Sequence, residues 1–288
     1  MAVGVNRYYW SQCVDIQIYR PASYLLITWL YMKTSAIKNT GIPFKALLPI
    51  VLLLNACNHH QDWVKVDHPG SLELINMGYD DYEGNRVRVT KAHDKIFLSY
   101  LEIKGPTFFS TYLLENTEVK EGESVLDMGT GSGIQAVYAA EKASHVLAVD
   151  IVERAVRNTM INARLHGVED KITARKSDLF NNINPDEKFD VIISNIPFPW
   201  DEKSQQYWRL QERFFNDVGK HLNPGGRIYF LSGLLENLPH TRELVEENNL
   251  KIMRINMTFI EDEKYGYELF TYLIERSPET PGKKNIEN

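Results

Sequence analysis

The sequence predicts an α/β fold: a mostly parallel seven-stranded sheet with helices on both faces, a terminal antiparallel hairpin and a small N-terminal extension. Three observations carry this expectation. From Gly122 onward, strongly apolar runs of strand length alternate with amphipathic runs of helix length, as repeated β-α-β units require when a parallel sheet is buried on both faces. The last two strand-like runs are joined through the charged stretch EDEKYG, which reads as a hairpin. Residues 1–60 differ from the rest in carrying five Lys/Arg against Asp15 alone, together with two short apolar stretches.

Taken in order, SVLDMG reads as a strand, GIQAVYAAEKA as a helix and HVLAVD as a strand. IVERAVRNTMINARLHG follows as a helix with apolar positions at Val152, Ala155, Val156, Met160 and Ala163, the spacing of one buried face. KITARKSD and FDVIISN are strands, QYWRLQERFFNDVGKHL a helix, GGRIYFLSG a strand, and LKIMRINMTFI and YELFTYLIE the closing pair. Ahead of this region the run NRVRVT alternates polar and apolar side chains with period two, the mark of a half-exposed strand. The chain therefore divides into an extension at 1–60, a lead-in subdomain at 61–120, the α/β domain at 121–276 and a polar tail at 277–288.

With 288 residues, 43% hydrophobic and 24% charged, the chain buries one sizeable core. Its net charge of -6 conceals a body at -10, with 27 basic against 37 acidic residues beyond position 60. Such a body is a poor match for a phosphate backbone, and no nucleic-acid-binding module is recognisable. Arg154, Arg157 and Arg164 fall on an ordinary solvated helix face. Both cysteines, Cys13 and Cys57, lie in the extension, so the body has no thiol nucleophile and no disulfide framework. His59 and His60 are adjacent and no H-x-x-x-H spacing occurs, so no metal site is expected.

The apolar stretches at 22–32 and 46–54 fall short of the roughly 18 to 20 residues that cross a bilayer. Lysines precede ALLPIVLLL, and Leu54-Asn55-Ala56-Cys57 resembles a lipoprotein cleavage box. A leader or membrane anchor within 22–57 is thus one reading, and a helical extension packed on the body the other.

Chemistry concentrates at four points. In Val125-Leu126-Asp127-Met128-Gly129-Thr130-Gly131-Ser132-Gly133 the glycines allow a sharp strand-to-helix turn and a close approach to a ligand. A dinucleotide fingerprint would need its third glycine at Ile134, and Asp127 would repel a pyrophosphate. A cationic sulfonium or ammonium group would instead be favoured there. Asp150 ends the next strand, where a carboxylate accepts from ribose hydroxyls, with Ile151 beside it. Ser177-Asp178-Leu179-Phe180 follows the third strand, placing a carboxylate for an adenine amine and Leu179 over a ring; a helix N-cap is the alternative for Asp178. Finally, FDVIISN delivers Asn195 to the carboxyl edge of the sheet, followed by Ile196, Pro197 and Phe198.

These residues resemble class I S-adenosylmethionine-dependent methyltransferases, particularly those that methylate nitrogen, such as release-factor glutamine and nucleobase amino methyltransferases. VLDMGTGSG is similar to their motif I, Asp150 to their acidic motif II, SDLF to their adenine-side motif and NIPF to their N-P-P-[YFW] motif. The resemblance covers about 121–276 and implies a Rossmann-like domain binding S-adenosylmethionine through Asp127, Gly129, Thr130, Gly131, Ser132, Gly133, Asp150, Ile151, Asp178, Leu179 and Asn195. It implies catalytic roles for Asn195, the Ile196 carbonyl, Pro197 as a stiffener and Phe198 as a stacking surface. The implied acceptor is a nitrogen of a protein glutamine, a nucleobase or a small molecule, and the implied location is the cytoplasm, where the cofactor is made. Ile196 departs from the family's first proline, which leaves the acceptor open. The alternatives are a non-catalytic module binding the same nucleoside and an NAD-dependent oxidoreductase.

Overall fold

The computed structural model describes residues 63–66, 74–200, 204–261 and 266–277. The extension expected at 1–60, the hairpin turn at 262–265 and the tail beyond 277 lie outside the described residues. The chain begins with β1 (Trp63–Val66), β2 (Leu74–Tyr82), β3 (Asn85–Ala92), β4 (Lys95–Tyr100) and α1 (Phe108–Glu115). Then come β5 (Ser124–Met128), α2 (Ile134–Ala139), β6 (His145–Asp150), α3 (Glu153–Leu165), β7 (Ile172–Lys176) and β8 (Phe189–Ser194). It closes with α4 (Gln206–Val218), β9 (Leu222–Gly233), α5 (Leu238–Glu247), β10 (Leu250–Glu261) and β11 (Gly266–Arg276).

The large sheet has the order β1-β10-β11-β9-β8-β5-β6-β7. All seven expected strands are present, and β11 runs antiparallel between β9 and β10. The sheet has eight strands rather than seven, because β1 pairs in parallel with β10 at the edge. The four residues Trp63–Val66 are too short a run to establish a period by which a sequence reading finds such a strand. The sheet grows from β5 outward in both directions, to β6 and β7 on one side and to β8 and β9 on the other. A crevice therefore opens between β5 and β8 at their carboxyl ends, the switch point where open α/β sheets bind ligands.

Two apolar layers sandwich the sheet. Phe214 and Phe215 of α4 pack on Phe230 of β9 on one face, while Leu113, Ile134 and Val137 of α1 and α2 cover the other. The central strands are buried almost throughout, which is why they read as unbroken hydrophobic runs. Among the described residues no helix is long and apolar enough to cross a membrane.

Strands β2, β3 and β4 form a separate antiparallel sheet. Its β4 edge is satisfied by side chains: Asn158 and Asn162, one turn apart on α3, bond the backbone of Leu98 and Tyr100 at 2.8 to 2.9 Å. The Asn162 amide also donates to the Ser132 carbonyl at 2.7 Å. The small sheet is thereby fastened to the helix beside the glycine turn, and buried polar groups that would be costly alone are bonded.

Candidate active site

The glycine turn leaves β5 with Gly129, Gly131 and Gly133 at φ of 78°, 55° and 82°, a region that other residues enter only at a cost of about 1 to 2 kcal/mol. The amides of Gly129 and Thr130 donate to the Val149 carbonyl at 2.9 Å, tying the turn to the end of β6. A Cβ at Gly133 would lie 2.9 Å from Cγ2 of Thr159 and 3.0 Å from its Cα, and one at Gly129 would lie 3.3 Å from Cγ2 of Ile196. Packing against α3 thus demands the glycine at 133, while Gly129 is in tight contact with the NIPF segment. The space at Gly131 is more open, its nearest neighbour being the Lys104 carbonyl at 3.7 Å. Ser132 and Thr130 are buried, and the Thr130 hydroxyl lies 3.2 Å from that of Thr159.

Asp127 is only 2% exposed, and its Oδ2 accepts the Ala136 amide at 3.2 Å in the first turn of α2. Burial pushes its carboxyl up to about 7 and the charge of Asp150 adds to the rise, against hydrogen bonds from Thr130 and Ala136. Asp150 is half-buried. Its Oδ2 accepts the Gly131 amide at 3.0 Å and its Oδ1 the Val152 amide at 2.9 Å; each oxygen keeps a further lone pair for a ligand. Beside it Ile151 is 59% exposed, an apolar side chain placed where a flat ring could cover it.

Asp178 caps no helix; its Oδ2 accepts from Nη2 of Arg213 on α4 at 2.8 Å. Leu179 takes a left-handed backbone at φ 49°, with its carbonyl bonded by the Ser177 hydroxyl, and is buried in the apolar core. A bulky residue in that region is uncommon and marks a constrained turn.

Asn195 follows the last residue of β8, half-buried, with a side-chain amide that bonds none of the described residues. Ile196 is buried against the glycine turn and Pro197 is exposed. Phe198 is 3% exposed, enclosed by Phe109 of α1 at 6.1 Å between ring centroids and by Trp200 at 4.8 Å. The open aromatic surface is that of Trp200, 42% exposed. The structure therefore brings the glycine turn, Asp150, Ile151 and Asn195 to one edge, and sets Phe198 behind Trp200 instead of at the surface.

Several residues escaped sequence reasoning. Thr107 and Ser110 form a reciprocal capping box that starts α1, and the Thr-x-x-Ser spacing was the available signal. Gln135 of α2 donates to the Ser110 carbonyl at 2.7 Å, locking α1 to the turn. Arg213 and Asn237 carry no local signal, since their partners are distant in sequence.

The fit to an S-adenosylmethionine-like group rests on this geometry: an open glycine at 131, two carboxylates at the turn and an exposed apolar residue beside Asp150. Comparison with known proteins adds to it. Residues 107–253 match the family described as methyltransferase small domain. The ribosomal protein L11 methyltransferase of Caldicellulosiruptor bescii is 43% identical over 206 residues, covering 68% of this chain and 60% of that protein. That of Lactobacillus johnsonii is 38% identical over 130 residues, covering 45% of this chain and 37% of the relative. The chain thus spans less than two thirds of the length of these relatives. Among solved structures, the M. jannaschii tRNA m1G37 methyltransferase superposes with a TM-score of 0.54 at 16% identity, over 68% of this chain and 56% of that one; this likeness concerns the fold alone.

Proposed function

The chain belongs to the methyltransferase small domain family, among the class I S-adenosylmethionine-dependent methyltransferases, and from that premise we propose that it transfers a methyl group from S-adenosylmethionine to a nitrogen atom of a protein. The observation that carries this reading is the Asn195 amide, which bonds none of the described residues, at the carboxyl edge next to the glycine turn. The protein acceptor is supported by the relatives, which are named for methylating a ribosomal protein. A dinucleotide oxidoreductase is disfavoured by the buried carboxylate of Asp127 under the turn and by Ile134 at the expected third glycine.

When bound, the cofactor supplies a methyl group made electrophilic by a positively charged sulfur. Asp150 accepts from the ribose hydroxyls with its remaining lone pairs, and Ile151 covers the base. Asp178 offers the base its Oδ1, since Oδ2 is held by Arg213. Asp127, its carboxyl held up to about 7 by burial, would place negative charge below a cation once ionised. Asn195 accepts an N–H of the acceptor through Oδ1, and the Ile196 carbonyl accepts a second, so that the nitrogen lone pair is aimed along the line of attack. Such alignment is where the rate comes from. Trp200 offers the acceptor an aromatic face, with Phe198 supporting it from behind. We place the reaction in the cytoplasm, the site of cofactor synthesis; the apolar stretches within 22–57 lie outside the described residues.

Calorimetric titration with S-adenosylmethionine and with NADH, followed by incubation of purified ribosomal proteins and lysate fractions with methyl-labelled cofactor, tests the proposal. Binding of S-adenosylmethionine with label on a protein nitrogen is the expected result. Binding without labelling of any fraction would support the non-catalytic module, and label confined to RNA would overturn the protein acceptor.

A further inference from the structure

The segment Asn195–Trp200 poses a mechanical problem. It contains two prolines, Pro197 and Pro199, so between Ile196 and Trp200 only Phe198 has a backbone N–H to give. A loop so poor in donors is held only if something outside it donates to its carbonyls or packs on its side chains. The described structure shows one group of residues doing both, in the turn that follows β9.

Asn237 is 6% exposed, and its Nδ2 donates to the Pro199 carbonyl at 2.7 Å and to the Gly233 carbonyl at 2.7 Å. Both amide hydrogens are consumed in joining the two loops. Asn237 stands directly before α5, a position at which asparagine ordinarily caps the helix, yet its side chain makes no cap. Its backbone is helical (φ -81°, ψ -16°), because the short 3-10 turn Leu235–Asn237 runs straight into α5, so the side chain is turned away from the capping position and serves the tie to the NIPF segment. The asparagine backbone is itself fastened, its carbonyl accepting from the Thr241 hydroxyl at 3.0 Å and its N–H donating to Leu234 at 3.1 Å.

Gly233 supplies the second half of the grip. A Cβ there would sit 2.5 Å from Cε2 and 2.8 Å from Cζ of Phe198, so the ring occupies the space a side chain would take. Gly233 has no left-handed backbone, so packing, not conformation, is what forbids a side chain. The next residue, Leu234, does carry a left-handed backbone at φ 66°, with its N–H held by the Glu268 carbonyl at 3.0 Å. Such an outlier persists only where its surroundings over-determine it.

We propose that Gly233 and Asn237 are positioning residues: the turn after β9 clamps Phe198 and Pro199, and through them sets where Asn195 and Trp200 meet the acceptor. The inference rests on reading Asn195–Phe198 as the acceptor segment. Fixed at one end by β8 and at the other by Asn237, the intervening stretch has little freedom left, and Trp200 is further pinned by its N–H to the Ser204 hydroxyl at 2.7 Å.

Two variants of the full chain test it. Asn237→Asp keeps the shape and removes both donors; Gly233→Ala keeps the donors and displaces the Phe198 ring. Hydrogen exchange followed by mass spectrometry is read at the amides of Ile196, Phe198 and Trp200, with cofactor affinity measured by calorimetry. Both variants should speed exchange in this segment by roughly tenfold while leaving exchange in β5 and β6 and the cofactor affinity unchanged. Unchanged exchange in the segment, or equal acceleration across the whole sheet, overturns the clamp. If the segment loosens but methyl transfer to a protein acceptor keeps its kcat and KM, the clamp stands and the assignment of the acceptor segment falls.

Discussion

The Asp150 carboxylate accepts the Gly131 amide at 3.0 Å, so the end of β6 and the middle of the glycine turn are one unit. A second bond, from the Val152 amide at 2.9 Å, makes the same side chain the start of the link to α3. The residue assigned to the ribose is thus also what shapes the ground on which a ribose would rest.

Asp150→Ala is accordingly expected to have two effects. Loss of the charge-assisted bonds to the ribose should weaken S-adenosylmethionine binding by about 1.5 to 3 kcal/mol, roughly ten- to a hundredfold in dissociation constant. Leaving the Gly131 and Val152 amides without an acceptor should also lower the urea midpoint. Calorimetry and urea melts measure the two separately; an unchanged dissociation constant removes Asp150 from the site.

Gly133→Ala tests the claim that packing demands this glycine. The variant meets both a left-handed backbone and the Thr159 side chain, costs of about 1 to 2 and 1 to 3 kcal/mol respectively. Combining it with Thr159→Ser, which removes the Cγ2 that crowds the new methyl, should recover part of the stability in urea melts. No recovery would mean that the loss comes from backbone strain and from the Cα and Cβ of residue 159, at 3.0 and 3.1 Å, which Thr159→Ser leaves in place.

Much of this architecture could be read in the sequence, because strands buried on both faces show themselves as unbroken apolar runs. The seven strands from SVLDM to YELFTYLIE are all found. What escaped has physical causes in each case. β1 is four residues long and owes its place to pairing with β10. The bonds of Asn158 and Asn162 to β4 make two mid-helix polar residues into edge acceptors and donors, a role no helical periodicity reveals. Phe198 looks like a surface stacking residue from its motif, and only the missing side chain at Gly233 shows where the ring goes. The glycines look like ligand contacts, whereas Thr159 and Ile196 fill two of the three spaces.

Asp127 should make stability depend on pH in a defined window. Burial raises its folded-state pKa from 3.8 to about 7, so between those values the folded chain keeps a proton that the unfolded chain has released. Stability from this group is therefore full below about pH 4, falls as pH rises toward 7 and is level above it, by no more than about 4 kcal/mol. Asp127→Asn should flatten that part of the profile and be the more stable protein at pH 8. Parallel slopes for the two proteins between pH 5 and 7 would show that Asp127 is ionised when folded.

Asn195 offers the sharpest test of the proposed chemistry. Its amide bonds none of the described residues, so Asn195→Ala removes no internal tie and should leave the melting temperature and the cofactor affinity near those of the parent. A group that aligns the acceptor mainly as the transition state forms is worth about 2.7 to 4 kcal/mol, so single-turnover methyl transfer should fall roughly a hundred- to a thousandfold. Trp200→Ala should act differently, raising KM more than it lowers kcat, since an aromatic face holds the acceptor before reaction as well as during it. Phe198→Ala, which empties a buried site behind Trp200, should cost about 3 to 5 kcal/mol of stability as well. Transfer by Asn195→Ala at the parent rate would mean that another group orients the nucleophile.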